Sequence, residues 1–105
     1  MTGWEKMRIT FFATVLAVMP LAAQGQDYFA GVAAYNRGDY AAALQEWQPL
    51  AEQGLADAQF ALGVVYLDGH GVLQNNAEAM RWYRLAAEQG FGNAQFALGV
   101  VYLDG

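Results

Sequence analysis

The 105 residues predict an all-α fold: a short right-handed α-solenoid of antiparallel helix pairs, about five helices following an N-terminal signal peptide. Three observations lead there. Residues 51–69 read AEQGLADAQFALGVVYLDG and residues 87–105 read AEQGFGNAQFALGVVYLDG, a near-identical recurrence at an offset of 36. A period of this length marks stacked helix pairs, because one pair cannot bury its apolar face alone. Within the first copy Ala58, Ala61, Leu62, Val65 and Tyr66 fall at i, i+3, i+4, i+7 and i+8, one stripe of a helix. Ala79, Met80, Tyr83, Ala86 and Ala87 form a second stripe, and Gly54 and Gly90 sit just past second-helix patterns, where a left-handed cap favours glycine.

Taken in order, the chain opens with Lys6 and Arg8 ahead of an uncharged, mostly apolar run at 9–19, then Pro20 and the small residues Ala22, Ala23 and Gly25. This is the three-part plan of a secretory signal, with cleavage after Gly25 or Ala23, and it implies an exported, periplasmic or secreted bacterial protein. The run is shorter than the ~20 apolar residues that cross a bilayer, so no stable membrane anchor is expected after cleavage. Thr2, Gly3, Trp4 and Glu5 dilute the positive leader, and Met7 is an alternative start. Past the leader, Asp39 has the setting of an N-cap, and Asn75 followed by Glu78 has the spacing of a capping box. The alanines Ala58, Ala61, Ala86 and Ala87 and the glycine Gly63 let helix axes approach, while Leu62, Tyr66, Met80 and Tyr83 fill the space between.

These residues resemble the Sel-one-like repeat (SLR), a relative of the tetratricopeptide repeat, whose pattern is A-x-x-x-L-G-x-x-Y-x-x-G-x-G-V, then A-x-x-W-Y-x-x-A-A-x-x-G, then A-Q. Ala58, Leu62, Gly63, Tyr66, Gly69, Gly71 and Val72 match the first half; Ala79, Trp82, Tyr83, Ala86, Ala87, Gly90, Ala94 and Gln95 match the rest. After the signal peptide at 1–25, the resemblance divides the chain into a tetratricopeptide-like helix pair at 26–54, a complete repeat at 55–90 and a partial one at 91–105. In the first pair, aligning Tyr35 with Tyr66 gives an offset of 31 against 36 for Ala41 with Ala77, so its interhelix loop is expected to be five residues shorter. Pro49 is a further departure. The family implies a non-catalytic interaction scaffold whose first helices line a concave face. Some secreted members carry a disulfide in each repeat, and this chain has no cysteine.

Composition narrows the chemistry. The leader carries a net +1, which leaves −6 on residues 26–105, where Arg37, Arg81 and Arg84 are the only cations. Three arginines cannot neutralise a run of phosphates, so no nucleic-acid partner is expected, and an anionic membrane is disfavoured for the same reason. Residues 26–105 hold no Ser, Thr, Cys or Lys, which removes hydroxyl and thiol nucleophiles and Schiff-base chemistry. One histidine, His70, makes a poor zinc composition, and no cofactor is expected. Carboxylates survive this filter, so the alternative of another class is a carboxylate-dependent hydrolase acting on cell-wall glycan.

On the first helix the face outside the core stripe runs through Asp57, Ala61, Val64 and Asp68 and recurs as Asn93, Ala97, Val100 and Asp104. This is the expected partner-binding surface. Small Ala and Val leave a shallow groove for a protein or peptide, and the acids at its ends select a basic one. The opposing reading is a merely solvated face. His70 has the setting of a solvated loop residue within reach of Asp68, Glu78/Arg81 and Arg84/Glu88 have surface-pair spacing, and Trp47 and Trp82 belong to packing between repeats. The last first-helix pattern lacks a following second helix, so Leu98, Val101 and Tyr102 are expected to lie uncovered, with self-association through that end or a truncated longer array as the consequence.

Overall fold

The computed structural model describes residues 27–104; the signal peptide reading of 1–25 lies outside them. Five helices follow one another: α1 (Tyr28–Asn36), α2 (Tyr40–Glu52), α3 (Ala56–Asp68), α4 (Asn76–Glu88) and α5 (Gly92–Asp104). Each packs on its neighbours in sequence, α1 on α2, α2 on α3, α3 on α4 and α4 on α5, and no strand occurs among the described residues. This is the helical solenoid expected from the internal period.

The helix ends follow from local chemistry. The Asp27 carboxylate accepts from the Phe29 N–H at 2.8 Å, Asp39 from Ala42 at 3.2 Å and Asn75 from Glu78 at 3.1 Å. Each such cap contributes about 1 kcal/mol. Past α2 and α4 the chain turns through Gly54 at φ 101° and Gly90 at φ 85°, the left-handed region the sequence led us to expect. Pro49 sits in the last turn of α2, which nonetheless continues through Glu52.

Small residues set how closely the pairs approach. A side chain at Gly31 would collide with the Trp47 indole, and one at Gly63 with the Tyr83 ring. Trp47 and Tyr83 are 36 residues apart in the second helices, but their glycine partners are 32 apart. The packing register therefore corrects the sequence alignment by one residue, and the first interhelix loop (37–39) is four residues shorter than the second (69–75), not five. The core between the pairs is Ala58, Leu62, Val65 and Tyr83 with Trp47 and Trp82, each at most 4% exposed. Full burial of a side chain such as Leu62 contributes about 1.5–3 kcal/mol.

A candidate peptide groove

The glycine register makes Tyr28 the counterpart of Phe60 and Val32 that of Val64. All four line one groove. Its walls are Tyr28, Val32 and Tyr35 from α1 and Phe60, Ala61 and Val64 from α3, with Trp47 from α2 between them and a cavity volume of about 170 Å³. Tyr28, Val32 and Tyr35 lie at i, i+4 and i+7, which brings them to one side of α1. Trp47 is held at the groove by its contact with Gly31 and by its indole N–H, which donates to the Tyr28 carbonyl at 3.0 Å. Its ring centroid lies 6.1 Å from that of Tyr28 and 5.7 Å from that of Tyr35.

Charge frames this apolar surface. Burial, and after it the Asp57 carboxylate, push the Tyr28 hydroxyl above its ordinary pKa; burial, then Asp68 and Tyr40, do the same to Tyr35. Asp57 is thus felt at the Tyr28 end and Asp68 at the Tyr35 end. Eleven residues of helix separate the two acids, roughly 16 Å at 1.5 Å per residue. That exceeds the ~5–9.5 Å between paired catalytic carboxylates of glycosidases, so these two acids do not form such a pair.

Of the expected partner-binding residues, the structure brings Ala61 and Val64 into the groove, with Ala61 only 7% exposed, and leaves Asp57 half-buried and Asp68 exposed beside it. On α5, Asn93 and Val100 are exposed and Ala97 half-buried, and none of them lines this groove; the Asp104 side chain lies outside the described residues. The aromatic walls were missed as groove-lining positions. The signal that could have found them is the i, i+4, i+7 run of Tyr28, Val32 and Tyr35.

His70 is not a solvated loop residue. It stacks on Tyr40 with centroids 4.6 Å apart and planes 7° from parallel, and its Nδ1 shares a 2.8 Å hydrogen bond with the Tyr35 hydroxyl. The longer second loop thereby reaches back to the first hairpin and fixes one wall of the groove. Among the described residues no group of three or more His, Cys, Asp or Glu side chains is placed to hold a metal ion.

Between the second helices lies another recess, about 430 Å³, lined by Gln48, Ala51, Glu52 and Gln59 on one side and Arg81, Trp82 and Leu85 on the other. Its polar groups largely satisfy one another. Gln48 donates to Glu52 at 3.0 Å, and the buried Gln59 amide donates to the Ala51 carbonyl at 3.1 Å and accepts from Gln89 at 2.9 Å. Arg81 pairs with Glu78 at 2.8 Å, the surface pair expected from the spacing. That bond holds the Glu78 carboxyl below its ordinary range, and the Trp82 indole N–H is buried without a hydrogen-bond partner.

The Sel1 repeat family model matches residues 56–91 and again 92–105. Residues 56–105 are Sel1-like repeats. Sel1 repeats are helical protein-interaction scaffolds, typically non-catalytic, and the solenoid described above is their architecture. No curated protein and no solved structure gave a significant match to the chain.

Proposed function

We propose that this repeat protein is an exported scaffold that holds a protein or peptide partner against the concave face formed by its first helices. The observation that carries the reading is the apolar groove between α1 and α3, with Asp57 one turn before Ala61 and Asp68 one turn after Val64 on α3. An accessible apolar recess framed by like charge suits an extended basic segment, for which the recess supplies affinity and the acids supply orientation. Export rests on Lys6, Arg8, the apolar run at 9–19 and the small residues before Gln26. The test is retention of partners from periplasmic extract by the wild-type chain and by Val64→Lys, which places a cation at the groove mouth. Loss of the retained protein in the variant is the expected result; equal retention by both excludes this face. N-terminal sequencing of the exported protein is expected to begin between Gln24 and Gln26, and retention of Met1 or Met7 in a cytosolic product excludes export.

Self-association is a second mode. Leu98 and Val101, expected to lie uncovered, are half-buried; the support comes instead from Phe96, Val100 and Leu103, which lie at i, i+4 and i+7 of α5 and are 76%, 40% and 88% exposed. Sedimentation should show a concentration-dependent dimer that Leu103→Glu abolishes, and a monomer at all concentrations rules this out.

A further inference from the structure

The groove has a size, a chemistry and a pair of charges, and together they define an occupant more narrowly than a basic partner. Its volume is about 170 Å³. An apolar cavity of about 150 Å³ accommodates benzene, so this recess takes one leucine-sized or single-ring side chain and no more. A cation inside is disfavoured by how the rings are used. Tyr28 stacks on Trp47 at 29° between planes, and Trp47 is 4% exposed, so the indole at the floor of the recess offers no open face to a charge. Ala61 and Val64 supply only aliphatic surface. The favourable places for cations are therefore outside the recess, beside Asp57 and Asp68.

We infer that the groove recognises an extended segment of the form cation–x–apolar–x–cation, with the apolar side chain seated among Tyr28, Tyr35, Trp47, Phe60 and Val64 and the two cations beside Asp57 and Asp68. This rests on the peptide-binding reading above. The register follows from chain geometry. In an extended segment residues i, i+2 and i+4 face one side and span about 13 Å. The acids are about 16 Å apart on α3, and the residual distance lies within the reach of two arginine stems. Ala61 and Val64 fall near the middle of the interval from 57 to 68, which places the apolar residue centrally between the cations. Tyr35, fixed through His70 by the second loop, makes the recess preformed in the free protein.

The test is an NMR titration of the ¹⁵N-labelled full chain with three blocked pentapeptides: Arg-Ser-Leu-Ser-Arg, Arg-Ser-Gly-Ser-Arg and Glu-Ser-Leu-Ser-Glu. The first is expected to shift the Trp47 indole N–H and the Ala61 and Val64 amides saturably, with the Trp82 indole as unmoved control. The glycine peptide should bind at least tenfold more weakly and the glutamate peptide should cause no shift. Asp57→Asn with Asp68→Asn should weaken the first peptide several-fold and flatten its salt dependence. Equal binding of the leucine and glycine peptides, equal binding of the arginine and glutamate peptides, or no shift at Trp47 at millimolar concentration overturns the inference. If the pentapeptides fail while Val64→Lys still abolishes partner retention from extract, the motif is wrong and the concave-face reading stands. If Val64→Lys leaves retention unchanged, the reading beneath it fails as well.

Discussion

Helices α3 and α5 end in the same eleven residues, AQFALGVVYLD at 58–68 and 94–104, yet the two copies live in different surroundings. In α3, Gly63 receives the Tyr83 ring, Gln59 is 4% exposed and Phe60 is half-buried, its ring 5.5 Å from Tyr83 and 5.4 Å from Phe91. In α5, Gly99 has nothing against it, Gln95 is exposed and Phe96 is 76% exposed. One contact survives in both: Gln59 donates to the Ala51 carbonyl at 3.1 Å, and Gln95 to the Ala87 carbonyl at 3.2 Å. That bond ties each first helix to the end of the helix before it. Everything that differs depends on a helix packed from the other side. Identical sequence thus forms identical helices, and the neighbour decides whether a residue is core or surface.

Paired substitutions at equivalent positions break or sharpen this contrast. The largest effect is expected from Leu62→Ala, which empties a fully buried site and should cost about 2–5 kcal/mol, whereas Leu98→Ala, at a half-buried site, should cost well under half as much. Urea unfolding of the two variants measures the difference; equal costs would show that α4 does not distinguish the copies. The next concerns Tyr83, whose hydroxyl is pushed up to about 12, first by burial and then by Asp68 and Tyr35. An unfolded tyrosine ionises near 10, so the raised value adds stability that is fully present below about pH 10 and is lost as pH rises towards 12. Tyr83→Phe should remove that alkaline phase from stability measured against pH, and an unchanged profile would contradict the assignment.

Gly63→Ala forces a methyl against the Tyr83 ring and should cost about 1–3 kcal/mol. Its counterpart Gly99→Ala enters open space inside a helix and should stabilise by about 0.5–1 kcal/mol, giving the two variants opposite signs. Melting temperatures moving in the same direction would refute the claim that Gly63 serves close approach. A smaller effect is expected from the glutamines. Gln59→Ala removes its bonds to the Ala51 carbonyl and from Gln89 while Ala51 keeps the Gly54 N–H at 3.0 Å, and should cost about 1–2 kcal/mol, against about 0.5 for the exposed Gln95→Ala. Equal costs in a urea series would mean that the shared bond, and not burial, carries the energy.

Much of the groove was legible from spacing. Ala61 and Val64 were found because the face beside a core stripe is a local property of one helix. Asp57 and Asp68 lie one turn to either side of them on the same helix and do not line the groove. The residues not found, Tyr28, Val32, Tyr35 and Phe60, face Ala61 and Val64 across or along the groove, and their role depends on how α1 sits against α3. Trp47 was assigned to packing, which it does perform, but the same ring also lines the groove. His70 was misjudged because a histidine between glycines has no local partner; Tyr35 and Tyr40 come to it from 35 and 30 residues away.

By itself, then, the sequence determined the helices, their order and their caps. Those are set by periodicities of three to four residues and by side chains that bond to backbone one turn away, as Asp39 and Asn75 do. The 36-residue recurrence also determined that the helices stack, since an apolar stripe repeated at that period has to be buried by its neighbour. The tertiary structure alone decided the register of the first pair, set by where Gly31 meets Trp47, and the filling of Gly63 beside an open Gly99. It also decided which aromatic rings line the groove and where His70 docks. Each of these is a contact between surfaces distant in the chain, fixed by which shapes exclude each other least when helices close on one another. That complementarity has no counterpart in the local spacing of residues.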